Sequence, residues 1–230
     1  MACRALWSTR RQVVKLQAEG ARLPSHELVY RRLREMILFG ELEPGQAVTI
    51  QGLVDQLGVG MTPVREALRR LIAAGALVFQ DNRRITVPVL DAAAIEELEL
   101  ARIALEPQLA RRAAERVGPD DVARLRATDE RLDAAIGKGD VHGYLVENHQ
   151  FHAELNDIAA APILTDLVEG LWLRFGPSLR VVCGQFGTRN LPDQHKAILE
   201  ALASGDADAA ARAMEADVVQ GMSQIASGQT

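Results

Sequence analysis

Cysteine is nearly absent from these 230 residues, occurring only as Cys3 and Cys183. Two isolated thiols offer neither a disulfide framework nor a CxxC zinc site. Aromatic residues make up only 4% of the chain, and no apolar run reaches 18 residues, so no membrane span is predicted. The opening stretch MACRALWSTRRQVV lacks the apolar run of a secretory leader, and a reducing cytoplasm is the expected compartment. There is no HExxH pair, no GxSxG elbow and no P-loop. Gly58-Val59-Gly60 follows a helical pattern rather than a strand, so it is not a dinucleotide loop. These absences argue against the common hydrolase and nucleotide-binding classes and favour a protein that binds.

What is present is helical and charged. Hydrophobic residues are 48% and charged residues 25% of the chain, ordinary values for a globular protein. The net charge of -5 averages two unlike parts. Residues 1–90 hold 13 Lys/Arg against 8 Asp/Glu, whereas residues 91–230 hold 13 against 23. A basic first part suits a polyanion partner, and an acidic remainder does not. Three regions are expected: a basic N-terminal arm over 1–24, a first domain over 25–90 and a second over 91–230.

In the first domain Ser25 is placed to cap a helix with Val29, Leu33, Met36 and Ile37 on one face, ended by Gly40. Thr49 opens a short helix closed by Gly58. Thr62 is read as the cap of a third helix, with Pro63 at its first position, a stripe of Val64, Leu68, Leu71 and Ile72, and a stop at Gly75. Two β-type runs, Ala76–Phe79 and Ile85–Pro88, flank a turn and predict a hairpin. Three helices and a hairpin make a winged helix-turn-helix. Beyond Asp91 the pattern is purely helical, with helices expected near 91–117, 120–137, 141–160, 163–182, 192–203 and 207–226. The expected fold is therefore mainly α, a winged helix-turn-helix followed by an antiparallel bundle of six helices.

The third helix leaves Thr62, Arg65 and Arg69 off its apolar stripe. A helix of this length fits the major groove, where an arginine can bond bidentately to guanine. Its N-terminus and the Thr62 hydroxyl suit a phosphate oxygen. Gln51 opens the preceding helix within reach of backbone or base, and Arg83 and Arg84 at the hairpin tip suit the adjacent minor groove.

The run from Gly58 to Leu71, with TPVREAL at its centre, resembles the recognition-helix signature of the GntR regulators, in the branch that carries the FCD domain. Gly60 and Met61 depart from the Ser or Thr and Arg frequent there, and an arginine stands at the wing's usual glycine. The second part carries the likeness separately, in Glu99–Glu106, in Asn148-His149-Gln150-Phe151-His152, in Gln194-His195 and in the helix after Gly205-Asp206. Six helices resemble the vanillate-regulator-like subgroup.

The resemblance implies a homodimer on palindromic double-stranded operator DNA, repression as the output, and a small organic acid as effector. It also implies a divalent metal, zinc, nickel, manganese or iron, held by Asn148, His152, His195 and Asp217. Asn148 and His152 lie one helical turn apart, a spacing that lets both reach one ion. The commonest family pattern is one Asp and three His, so this donor set departs from it. Arg102, Glu106 and Arg180 are the expected effector contacts, with Arg102 the counter-charge to a carboxylate. Two other readings stand beside this one: a metal-dependent enzyme built on the bundle, and a DNA-binding dimer without ligand in which the two histidines are hydrogen-bonded core residues.

Overall fold

The computed structural model describes residues 25–80, 84–186 and 194–228. The arm over 1–24, Arg83 and Pro192 lie outside them. The described residues form nine helices and three short strands. In chain order these are α1 (Ser25–Leu38), β1 (Ala47–Val48), α2 (Ile50–Leu57), α3 (Met61–Ala73), β2 (Val78–Phe79) and β3 (Ile85–Thr86). Then follow α4 (Ala92–Ala114), α5 (Pro119–Lys138), α6 (Val141–Ala159), α7 (Pro162–Phe186), α8 (His195–Ser204) and α9 (Ala207–Ser227).

The first three helices bury the predicted stripes against one another. Val29, Leu33, Met36 and Ile37 of α1 meet Leu53 and Leu57 of α2 and Val64, Ala67, Leu68 and Leu71 of α3 in one core. Ile72 packs at its edge. Thr49 caps α2 by accepting a hydrogen bond from the Gly52 N–H at 3.1 Å. Gly58 closes that helix at φ 65°, a left-handed conformation that glycine adopts without strain.

Two expectations need correction here. The cap of α3 is Gly60, with no side-chain hydrogen bond, so Thr62 lies inside the first turn and Pro63 is the third helical residue. Pro63 still lacks only an N–H that the first turn leaves unpaired in any case. The hairpin is also part of a larger sheet. β1 pairs antiparallel with β3 (Ala47 opposite Thr86, Val48 opposite Ile85), giving the order β1-β3-β2. A strand of two residues has no alternation to read, which is why β1 is invisible in the sequence.

Five of the remaining six helices start within a residue of their expected positions, whereas α8, expected from 192, begins at His195 after Gln194, which makes no side-chain cap. Asp91, Asp140 and Asp206 each accept a hydrogen bond from a backbone N–H three residues on, at 2.8, 2.9 and 2.8 Å. α4 packs along α9 and α5 along α6, enclosing Leu109, Leu125, Leu132, Phe151, Leu155, Ile198 and Met214. α7 runs through Pro177 as one helix and extends to Phe186, beyond its expected end. It is also the helix on which α1 rests. At this crossing a Cβ on Gly176 would lie 2.7 Å from the Leu38 carbonyl oxygen, so only glycine admits the approach.

Candidate functional site

α3 presents a polar face beside the sheet. Thr62, Arg65 and Arg69 are exposed, while Val64, Ala67, Leu68 and Leu71 turn inward. Arg69 is 77% exposed and pairs with Glu66 at 2.8 Å. Gln51 is exposed in the first turn of α2 and donates to Asp55 at 2.8 Å. Arg84 is exposed where β3 begins. The helix is braced from behind: Arg70 donates to Glu27 of α1 at 2.7 Å and lies 3.5 Å from the centre of the Tyr30 ring.

A second concentration of polar groups lies inside the bundle, around a cavity of about 30 Å³. Arg102 comes from α4, Tyr144, Asn148 and His152 from α6, and Trp172, Phe175 and Leu179 from α7. Asp217, Gly221, Gln224 and Ile225 come from α9. Behind its wall, the Nε2 atoms of His152, which lines the cavity, and of buried His195 stand 3.4 Å apart. The Asp217 carboxylate is 3.3 Å from the first and 4.0 Å from the second. Two imidazole nitrogens and a carboxylate oxygen within 4.8 Å of one another make a donor set that fits a divalent cation. Asn148 is buried on the same cavity wall as His152, one turn away. Burial alone would raise the Asp217 carboxyl. The hydrogen bond from His152, the two imidazoles and the Gln194 N–H outweigh it and hold the group well below the usual carboxylate range.

The two expected effector residues on α4 are bound to each other. The Arg102 guanidinium donates to Glu106 at 2.5 and 3.2 Å, with both side chains buried, and lies 4.2 Å from the Phe175 ring centre. Arg102 therefore faces the cavity with its charge already compensated. Arg180 does not line the cavity. On α7 the cavity-facing residues are Trp172, Phe175 and Leu179, and the next position along turns away, so the Arg180 stem packs on Gly40 after α1.

Behind the histidines stand Glu106, named from the sequence as an effector contact, and Asp129, which sequence reasoning passed over. Glu106 Oε2 is 3.7 Å from His152 Nδ1, and Asp129 Oδ1 on α5 is 3.5 Å from His195 Nδ1. Asp129 is buried mid-helix, where a carboxylate needs a partner, but its partner lies 66 positions on and only the fold brings them together. Trp172 closes the wall, and its buried Nε1–H has no hydrogen-bond partner among the described residues. Next to it His149 sits edge-on to Trp172 and to Phe39, the residue after α1. Burial, with Arg34 and His152 nearby, pushes the His149 imidazole down to about 3. Arg34 of α1 pairs with Glu169 of α7, and Arg174 donates to the Ala74 carbonyl at 3.2 Å.

A winged helix-turn-helix with its recognition face exposed, carried on a six-helix bundle, defines a DNA-binding regulator. A family model described as the FCD domain matches residues 97–219, and one for bacterial regulatory proteins of the gntR family matches residues 25–87. The chain belongs to the GntR family, in its FCD-domain branch, and is a transcription regulator rather than an enzyme. It is 35% identical over 147 residues to the HTH-type transcriptional regulator McbR of Escherichia coli (strain K12). That match spans 64% of this chain and 66% of McbR, just under two thirds of the relative's length. With the HTH-type transcriptional repressor RspR of the same strain it shares 27% identity over 195 residues, 83% of this chain and 84% of RspR. The solved structure of E. coli McbR/YncC superposes with a TM-score of 0.85 at 27% identity, covering 90% of this chain and 100% of that one. A transcriptional regulator from Rhodococcus sp. RHA1 superposes at 0.72 and 23% identity, covering 88% and 97%, a likeness of fold alone.

Proposed function

We propose that the chain is a cytoplasmic repressor that binds a palindromic operator as a homodimer, and that a small carboxylate effector above a divalent metal in the helical domain modulates that binding. On this reading residues 25–90 bind DNA, residues 91–230 sense the effector and dimerise, and residues 1–24 are a basic arm. The observation that carries it is one chain's pairing of the exposed Thr62/Arg65/Arg69 face with a cavity lined by His152 and Asp217, behind which His195 completes the cluster. Thr62, Arg65, Arg69 and Gln51 read the major groove and its phosphates, and Arg83 and Arg84 of the wing reach the minor groove. RspR, a related protein, is a repressor by name, which supports the sign of the output.

His152, His195, Asp217 and the Asn148 amide oxygen are the residues that hold the metal. When bound, it supplies a Lewis-acidic anchor for an effector oxygen. The Trp172 N–H adds a donor without a partner among the described residues, suited to an acceptor such as a carboxylate. The Arg102–Glu106 pair supplies a compensated rim rather than a free positive charge. At about 30 Å³ the cavity has room for one or two waters, so an effector must push its walls apart. Three wall residues belong to α7, whose neighbouring stripe (Glu169, Gly176, Arg180) carries the contacts with α1 and the Gly40 turn. Outward displacement of that wall changes how the DNA-binding part is seated, which gives the effector a preference between two arrangements.

The test is selection of bound sequences from a random DNA pool, with and without small carboxylic acids. Selected sites are expected to be palindromic, and Arg65→Ala should cost about 1–3 kcal/mol and blur one base position. If the variant keeps the wild-type ratio of specific to random affinity, base reading by α3 is wrong.

A further inference from the structure

We propose that Met61 is a specificity-determining residue of α3, which selects thymine at one position of the operator by packing on its C5-methyl group in the major groove. The inference rests on the reading of α3 as the helix that enters that groove, and deepens it. A recognition helix of this motif turns the residues of its N-terminal part to the base edges. Met61 is the first residue of α3, and Arg65 and Arg69 follow at intervals of four, so the three share one side of the helix. Met61 is 44% exposed and belongs neither to the core nor to the apolar residues packed against it. A lone exposed apolar side chain is ordinary. Met61 differs in its company, since the stripe that it heads otherwise carries hydrogen-bonding groups.

The residue before it supports the same close approach. Gly60 caps α3 without a side-chain hydrogen bond, at φ -72° and ψ 162°, a conformation open to every residue. A Cβ there would meet Pro63 Cδ at 3.8 Å, an ordinary contact, so neither backbone nor packing calls for glycine at this place. What glycine does provide is room for a ligand to approach the backbone. Gly60 is itself exposed, so that room faces outward, beside the Met61 side chain. The entry to α3 is therefore narrow, apolar and without a side-chain donor until Thr62.

The chemistry of the thioether decides which base it meets. In the major groove guanine presents N7 and O6, adenine N7 and an amino group, cytosine an amino group, and thymine O4 and a methyl group. A thioether has no hydrogen to donate and accepts only weakly, so on the polar edge of guanine, adenine or cytosine it would strip water and return no bond. On the thymine methyl it buries apolar surface of both partners. An unbranched chain with three rotatable bonds also follows an irregular surface better than a branched one. Arg65, one turn further along the same side, remains free to bond a guanine, so the two residues specify different bases a short distance apart.

The test uses the full chain and the sites that it selects from a random DNA pool. Each thymine of a selected site is replaced in turn by deoxyuridine, which keeps the base pair and removes only the methyl group. Affinity is measured at one fixed salt concentration, so that the phosphate contribution stays constant. Wild-type protein should lose about fourfold at one thymine of each half-site, the worth of one methyl-sized group taken out of water. Met61→Ala should bind the thymine site more weakly and lose nothing further on replacement at that position. Met61→Leu, apolar but without sulfur, should keep most of the sensitivity. Both variants should unfold at the wild-type temperature, because the side chain is exposed and alanine and leucine are good helix formers. If no thymine is sensitive to replacement, or if Met61→Ala suffers the same loss as wild type, the methyl contact is overturned. The reading of α3 then still stands, provided that Arg65→Ala loses its preference for selected over random DNA. If neither Arg65→Ala nor Met61→Ala alters that preference, the reading of α3 is overturned and the role of Met61 falls with it.

Discussion

A carboxylate held between α1 and α3 shows how single residues set the recognition surface. Glu27 accepts from Arg70, which also covers the Tyr30 ring, so one arginine fixes the base of the helix that presents Arg65. The Arg70 hydrogen bond holds the Glu27 carboxyl below its usual range, with Arg31 adding to the effect. A carboxyl depressed in the folded state stabilises it above the unfolded value, about 4.3, and that stability disappears as pH falls through the folded value. Glu27→Gln should therefore destabilise the chain by about 0.5–1 kcal/mol at pH 7, the scale of a partly exposed pair. The difference from wild type should shrink as pH falls below the unfolded value and close only once pH is below the depressed folded value, where the carboxyl is neutral in both states. Urea unfolding of both proteins from pH 7 downward checks this, and a gap that widens in acid would rule out the pair as its source. Asn148, His152, His195 and Asp217 were named through family likeness, with the one-turn spacing of the first two consistent with it. Asp129 was not, because nothing local to α5 tells a buried, partnered aspartate from one on a solvated face.

At the scale of elements, caps and stripes are local and short strands and helix crossings are not. Asp91, Asp140 and Asp206 announce α4, α6 and α9 because an N-cap acts on N–H groups within three residues of itself. The crossing of α7 and α1 depends on Gly176, which in sequence reads only as a helix interruption next to a proline. Its reason is the Leu38 backbone, whose oxygen and Cα would lie 2.7 and 3.2 Å from an added Cβ. Backbone at that distance has no rotamer with which to yield, so Gly176→Ala should separate the helices and cost about 1–3 kcal/mol. Gly184, on the same helix, has no neighbour within 4 Å of the corresponding position among the described residues. Gly184→Ala should instead stabilise by about 0.5–1 kcal/mol through helix propensity alone. Opposite shifts of the thermal midpoint in the two variants are expected. Shifts of the same sign would mean that the close approach does not constrain the junction.

At the scale of the molecule, the exposed face of α3 and the histidine cluster belong to different parts of the chain, and α7 lines the cavity on one side and packs on α1 and the turn after α3 on the other. Thr62 and Arg65 lie on α3, whereas His152, His195 and Asp217 come from α6, α8 and α9. A ligand that binds only the folded chain stabilises it by RT ln(1 + [L]/Kd), about 2.7 kcal/mol at a hundredfold excess over Kd. Wild-type protein given Zn²⁺ at that excess should therefore unfold at a higher temperature than metal-free protein. His152→Ala removes a nitrogen from the donor set and leaves Asp217 with His195 alone, so the same Zn²⁺ concentration should give little or no shift. Metal-free His152→Ala should still bind operator DNA with wild-type affinity, because no contact of α3 passes through that ring. The two readouts separate sensing from binding. A variant that loses DNA affinity along with the Zn²⁺ shift would show that the cluster supports the fold as a whole. A variant with an undiminished Zn²⁺ shift would place the ion elsewhere. Loss of the shift with DNA binding retained is the expected result, since the cavity wall on α7 reaches the DNA-binding part through the Glu169–Arg34 pair with α1 and not through the face of α3.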